Sequence, residues 1–279
     1  MGTVPTIDTI RRLEAVQVAV VRTLVDGLVA TGCTEPVPTA VPLGSGCLVV
    51  TGPRRYVNRA VGVTLEELGP VDVEAIVRHY ADAGLTPAVE VSSWAPATTV
   101  AALGAAGFVP AWCRSVLAVD VRDVVADPPS PGPGGRSVEV VAVGDDTALA
   151  ACAADVMVDE TLRAGGDRTT SDEFMAADFS SPGATQLLAT LDGEPVGCGS
   201  LWVVEDAGTR TGWLGAAATV PSARGRGVQT ALVRHRLRLA AAAGCDLAAA
   251  TASVGSTSSR VLSRCGFGLV QDQWVVQRA

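Results

Sequence analysis

The chain has 279 residues, a formal charge of −8 and 48% hydrophobic residues, with a mean hydropathy of +0.34. That length is about twice an ordinary domain, and the apolar content suffices for sizeable cores. All 21 cations are arginine, so the missing lysine excludes Schiff-base chemistry, a P-loop lysine and any lysine nucleophile.

Charge is even along the chain, with nine arginines against 13 acids in 1–135 and 12 against 16 in 136–279. Without a basic half, nucleic acid is not an expected partner, because phosphate binding needs a cationic surface. The cysteines, Cys33, Cys47, Cys113, Cys152, Cys198, Cys245 and Cys265, are thinly spread. They read as small buried hydrophobes in a reducing compartment, not as a metal knuckle or a redox pair, and no metal is expected. Val18 to Ala30 is the most apolar early run, but Arg22 and Asp26 interrupt it and it is too short for a membrane span. No cationic stretch leads from Met1 into a signal core. A cytoplasmic protein is expected, and the lysine-free, alanine- and arginine-rich usage suits a GC-rich bacterium.

In chain order, the first half closes with a helix ending at His79–Gly84, a strand at Ala88–Val91, a helix ending before Gly107-Phe108, and a strand at Cys113–Val121. Residues 127–136 follow, with four prolines and three glycines, a composition that supports neither helix nor central strand and marks a linker. The predicted domains are therefore 1–126 and 137–279. In the second, Val138–Val143 is a strand and Asp145–Leu162 a helix, with Asp145 or Asp146 at its start. Gln186–Leu191 and Val196–Val204 are strands joined by Asp192-Gly193, a hairpin signal. Trp213–Val220 is a strand and Gly227–Ala243 a helix, with Arg234, Arg236 and Arg238 partly outward. Leu247–Ala252 is a strand, Ser256–Cys265 a helix and Val270–Val276 the last strand. The predicted fold class is α/β (α+β), a mixed and mostly antiparallel sheet flanked by helices. Ala83-Gly84 returns 160 residues later as Ala243-Gly244, and Gly107-Phe108 returns 159 later as Gly266-Phe267. The halves thus read as a duplication.

The stretch that carries chemistry is 214–232. A strand ends at Val220, Pro221 and Ser222 turn the chain, and Gly225 and Gly227 lead into a helix. Such a start presents unpaired backbone N–H groups and the positive end of the helix dipole, which suit a pyrophosphate. Arg224 and Arg226 add charge. A Rossmann fingerprint needs a third glycine where Thr230 stands.

This strand, loop and helix resemble the acyl-CoA loop of the GCN5-related N-acetyltransferase superfamily, Arg/Gln-x-x-Gly-x-Gly/Ala. Arg224, Gly227 and Val228 match, whereas Gln229 replaces the last small residue and either donates a bond to the pyrophosphate or crowds it. The resemblance covers about 140 residues of the second half. It implies two such domains, the first degenerate, with acetyl-CoA as cosubstrate bound in the second. By the resemblance, Ala218, Thr219 and Val220 pair with the pantetheine arm, a main-chain N–H near Ala218 polarises the thioester, and Gly225 to Thr230 hold the pyrophosphate.

The implied reaction is direct attack, in a ternary complex, by a primary amine of a small molecule or peptide on the thioester. The acceptor is otherwise open, as is monomer or homodimer. Leu262 stands where many members carry a tyrosine acid, and Gly255 where an asparagine often stands. Ser256 and Ser259 either contact the cofactor or order a water, or cap the helix. Glu160 is a candidate base among Asp155, Asp159, Asp167, Asp172 and Glu173, acids that wall the acceptor site. His79 and His235 read as packing or surface residues. The first half lacks the glycine loop, and Glu66 and Glu67 stand in its place. A non-catalytic acyl-CoA-binding or interaction module is the alternative function.

Overall fold

The computed structural model describes residues 5–33, 36–53, 55, 57–124, 138–163 and 165–278. The linker at 127–136 and the boundary at 126 lie outside them. Ile7–Ala30 forms α1, capped by Thr6, whose Oγ1 accepts the Thr9 N–H at 3.2 Å. Ile10, Leu13, Val16 and Val20 recur at steps of three and four and give it one buried face. Strands β1 (Thr39–Leu43), β2 (Gly46–Val50) and β3 (Arg59–Val61) form an antiparallel meander. Helix α2 (Pro70–Asp82) then leads to β4 (Ala88–Ser92), parallel to β3. Helix α3 (Ala97–Ala105), the long strand β5 (Phe108–Asp120) and the single turn α4 (Val121–Val124) end this half.

The second half repeats the plan. Strand β6 (Val138–Ala142) is followed by α5 (Thr147–Arg163) and α6 (Arg168–Ser180). Strands β7 (Ala184–Leu191), β8 (Glu194–Asp206) and β9 (Thr209–Thr219) form the meander. Helix α7 (Val228–Ala242) crosses to β10 (Leu247–Ser253), parallel to β9. Helix α8 (Thr257–Arg264) and the long strand β11 (Gly268–Arg278) close it. The Asp192-Gly193 turn has φ of 56° and 84°, the left-handed pair that a two-residue hairpin needs. A second such turn, Ala207-Gly208 at 47° and 78°, carries alanine first and so gave no signal.

The sheet is mixed and mostly antiparallel, as predicted, and it is continuous: eleven strands in the order β1-β2-β3-β4-β11-β5-β10-β9-β8-β7-β6. Strand β11 lies between β4 and β5, and β5 between β11 and β10. Each half therefore places its last strand inside the sheet of the other. The central pair runs antiparallel from Gly268↔Ala118 to Arg278↔Phe108. Its outer neighbours β4 and β10 are antiparallel to it in turn, so the junction has local twofold symmetry.

Helix α7 packs on a row of glycines. A Cβ on Gly197 would lie 2.5 Å from Val228 Cγ1, one on Gly199 3.2 Å from Arg236 Cζ, and one on Gly212 3.0 Å from Ala240 Cβ. The missing side chains let the helix sit close to β8 and β9, and they correct one expectation. Arg236 is buried, not partly outward, because its ridge of i and i+4 residues faces these glycines. Its guanidinium donates to the Ser200 and Gly215 carbonyls at 3.3 and 3.2 Å.

Helix α1 belongs to the first half yet packs against Val116, Ala118, Trp213, Ala249 and Val270, which span the junction. Arg12 donates to Thr211 Oγ1 at 2.8 Å and pairs with Asp246. At Gly27 the helix touches α6 so closely that a Cβ would lie 2.6 Å from the Ala177 oxygen. No helix among the described residues is long and apolar enough to cross a membrane.

Candidate active site

The site begins where β9 loosens. Cys198 faces Ala218 and Ser200 faces Gly215, so Ala216 and Ala217 together oppose Gly199 in a β-bulge. Ala216 takes a φ of 41° there. On its other side β9 pairs with β10 only from Thr211↔Leu247 to Leu214↔Ala250. Beyond that point the parallel strands part at their carboxyl ends, where open α/β sheets place their ligands. Helices α7 and α8 both start at this edge.

After Val220, whose N–H donates to the Val196 oxygen at 3.0 Å, Pro221–Ala223 form a short 3-10 turn. Gly225 and Gly227 follow with φ of 74° and 85°, and a Cβ on either would meet nothing within 4 Å. The space above the loop is open. Gly227 caps α7 without a side-chain bond, and the first intrahelical bond runs from Ala231 N to Gly227 O at 2.9 Å. The N–H groups of Val228, Gln229 and Thr230 have no partner inside the helix. Arg224 and Arg226 are exposed, and neither has an ion pair among the described residues. Backbone donors, dipole and cations so converge on one open surface, which can hold a pyrophosphate.

Gln229 turns away from that surface. Its Nε2 donates to Ala218 O and Thr219 Oγ1, both at 2.9 Å, tying the start of α7 to the end of β9. Ser256 is the N-cap of α8, its Oγ accepting the Ser259 N–H at 3.1 Å, while the Ser259 hydroxyl donates to Ser256 O at 2.9 Å. Both serines are thus engaged in the cap, and neither lines the cavity described next. Leu262 is buried in the core.

Beside the bulge lies a cavity of 320 Å³, walled by Ala216 and Ala217 of β9, Met157 of α5, Phe174 and Asp178 of α6, and Val20 of α1. Glu160 reaches its rim but is exposed and donated to by Arg163 Nη2 at 2.6 Å. Asp159 does not line the cavity, and the remaining four predicted acids are engaged elsewhere. Arg168 pairs with Asp155 and Asp172 at 2.8 and 3.1 Å, Asp167 caps α6, and Glu173 takes two bonds from Arg55 at 2.7 and 2.8 Å. Neither histidine lines the cavity.

Asp178 escaped the sequence reading. Its side chain is buried, and burial pushes its carboxyl up to about 7. Its signal lay in the spacing of Ser171, Phe174, Met175 and Asp178, which all line the cavity and recur at the i, i+3, i+4, i+7 positions of one helix face.

Residues 155–267 match the family model described as "Acetyltransferase (GNAT) family". No curated protein matches the chain. Among solved structures, a GCN5-related N-acetyltransferase from Kribbella flavida aligns over 92% of this chain and 95% of its own, at 18% identity and a TM-score of 0.61. A conserved protein of unknown function from Staphylococcus epidermidis aligns over 86% and 94%, at 10% identity and a TM-score of 0.59. A tandem GNAT protein from the clavulanic acid biosynthesis pathway aligns over 75% and 67%, at 14% identity and a TM-score of 0.54. At these identities the likeness is one of fold.

Proposed function

From the match of residues 155–267 to the acetyltransferase (GNAT) family model, we propose that the protein is an acetyl-CoA-dependent N-acetyltransferase working in its second half. The observation that carries this reading is the uncapped start of α7 under two glycines whose Cβ positions face open space. The N–H groups of residues 225 and 227–230 hold the pyrophosphate, with Arg224 and Arg226 as counter-charges. Residues 218–220 at the parted end of β9 offer backbone to the pantetheine arm. Acetyl-CoA supplies a thioester. The bulge at Ala216–Ala217 turns main-chain N–H toward its carbonyl and polarises it. The Gln229 bond to Ala218 O fixes the loop against the strand, so the family's small residue is replaced by a strut.

The first half is read as a degenerate domain without cosubstrate. The start of α2 has Pro70 at its first turn, and Asp72 accepts the Gly69 N–H at 2.9 Å. The chain's own carboxylate occupies the place where an anion would have to bind. This half instead contributes α1 to the acceptor side.

Thiol release from acetyl-CoA, measured across a panel of primary amines, tests the enzyme. Tight binding of acetyl-CoA with no turnover on any amine would favour a non-catalytic acyl-CoA sensor, a reading supported by the buried Leu262 and by the capping role of Ser256 and Ser259. At about 100 times its Kd, acetyl-CoA should stabilise the fold by about 2.7 kcal/mol. The absence of any thermal shift at millimolar acetyl-CoA would defeat both readings.

A further inference from the structure

The cavity beside the bulge holds an unusual combination. Its walls are apolar, from Val20 and Leu24 of α1, Met157 of α5, and Phe174 of α6. One ionisable group, Asp178, is buried among them, and among the described residues no hydrogen bond or ion pair reaches its side chain. Native proteins seldom leave a buried carboxyl unmatched, because the charged form loses its hydration. Thr161, Ser171 and the Trp202 indole also line the cavity, but the elements around the carboxyl offer it no cation among the described residues. Helix α1 presents only Val20, Val21 and Leu24, and β9 presents alanines. Strand β7 has no ionisable side chain. Helix α5 brings Glu160 to the rim, and β8 brings the buried Cys198, whose thiol is pushed up to about 12 by burial. Among the described residues no cation is set against this carboxyl, so its partner is to be sought in a ligand.

Resting on the acetyltransferase reading, we propose that the acceptor is a primary monoamine on a compact alkyl or aryl body that fills this cavity, and that Asp178 receives its ammonium group and removes the proton. The volume of 320 Å³ equals roughly ten waters at about 30 Å³ each, room for a buried body of about as many heavy atoms. A polyamine would bury further cations against Phe174, Met157 and Leu24, at a large desolvation cost. The Asp178 carboxylate takes one proton from R–NH3+ and leaves a neutral amine. The nitrogen lone pair forms the C–N bond to the thioester carbonyl carbon as the C–S bond breaks and its electron pair leaves on sulfur. A second nitrogen proton goes to the thiolate, the third stays on the amide, and Asp178 returns its proton to water once the product departs. A carboxyl held at about 7 is suited to this exchange near neutrality.

The test uses the full chain, acetyl-CoA, and 2-phenylethylamine and hexylamine against spermidine. The monoamines should be acetylated with kcat/KM at least tenfold above spermidine. Asp178→Asn should lower kcat/KM by about a hundredfold or more, remove the rise in rate through neutral pH, and leave the Kd for acetyl-CoA unchanged. Leu24→Trp, which narrows the cavity from α1, should raise the KM for 2-phenylethylamine and leave the same Kd alone. Turnover that ignores both substitutions, or that prefers spermidine, would overturn this proposal while sparing the acetyltransferase reading. Failure of acetyl-CoA to bind the wild-type chain would overturn both.

Discussion

Arg114 on β5 reaches past the intervening strand β11 to ion-pair with Glu90 on β4. Gln273 of β11 accepts from the Arg114 Nε at 3.0 Å on the way, and Arg59 pairs with the same carboxylate at 2.9 Å. Glu90 is wholly buried. Burial opposes its charge, but the guanidiniums of Arg114 and Arg59 outweigh that and hold the carboxyl below its usual range. The pair thus crosses the point where the two halves interleave. Arg114→Met leaves a buried carboxylate with half its support and should cost about 3–5 kcal/mol in urea unfolding. Adding Glu90→Leu should recover part of that loss, and both variants should still unfold in one transition. Two separate transitions would show that the halves are not coupled.

At the cofactor loop, Gly227→Val forces a β-branched residue into a φ of 85° and puts its Cβ into the open space above the loop. The backbone term is about 1–2 kcal/mol of stability. Affinity for acetyl-CoA should fall by more than tenfold, read by calorimetry at a temperature where the variant is folded. Unchanged affinity would move the pyrophosphate elsewhere.

Gly197→Ala acts on the same loop from behind. Its Cβ would stand 2.5 Å from Val228 Cγ1, and Val228 is the first residue of α7. The helix start must shift, so the variant should lose about 1–3 kcal/mol through overpacking and should also bind acetyl-CoA more weakly. Gly84→Ala, in a turn of the first half with nothing within 4 Å of its Cβ, serves as the control that keeps acetyl-CoA affinity.

The Asp178 carboxyl links stability to pH with a definite sign. Its folded value, about 7, lies above the ordinary 3.8. Between those values the folded state binds the extra proton, so this group removes stability as pH rises through the interval. A shift of roughly three units corresponds to about 4 kcal/mol. The Tm advantage of Asp178→Asn over wild type should therefore be small near about pH 4 and grow toward about pH 8. A constant difference across that range would mean that the carboxyl titrates normally.

Local features were the ones legible in the sequence. Asp192-Gly193, the Pro221–Gly227 loop and the repeated Gly-Phe pairs each encode their geometry within a few residues, because positive φ and a fixed turn leave few residue choices. The hydrophobic pattern gave the strands of the second half and α7, α8 and α5. The sharing of β5 and β11 between halves was not legible, since strand periodicity says which face is buried but not which strand is the neighbour. Arg236 looked outward because charged residues on a helix usually are. Only the glycines of β8 and β9, placed beneath it by the fold, explain its burial. Helix α6 was hidden behind its acids, Asp167, Asp172 and Glu173, which drew attention to charge when the informative residues were the apolar ones between them.

The interleaved strands also set the order in which the molecule can be completed. When β4 and β5 leave the ribosome, the place between them is reserved for β11, the last of these eleven strands in chain order. Until the second half emerges, the first half holds three unpaired strand edges, one on β4 and both on β5, that it has no strand of its own to fill. Pairing at such long sequence separation is slow, and open edges invite other chains. The same exchange that welds the halves together in the finished protein makes the nascent first half depend on a strand made long after it.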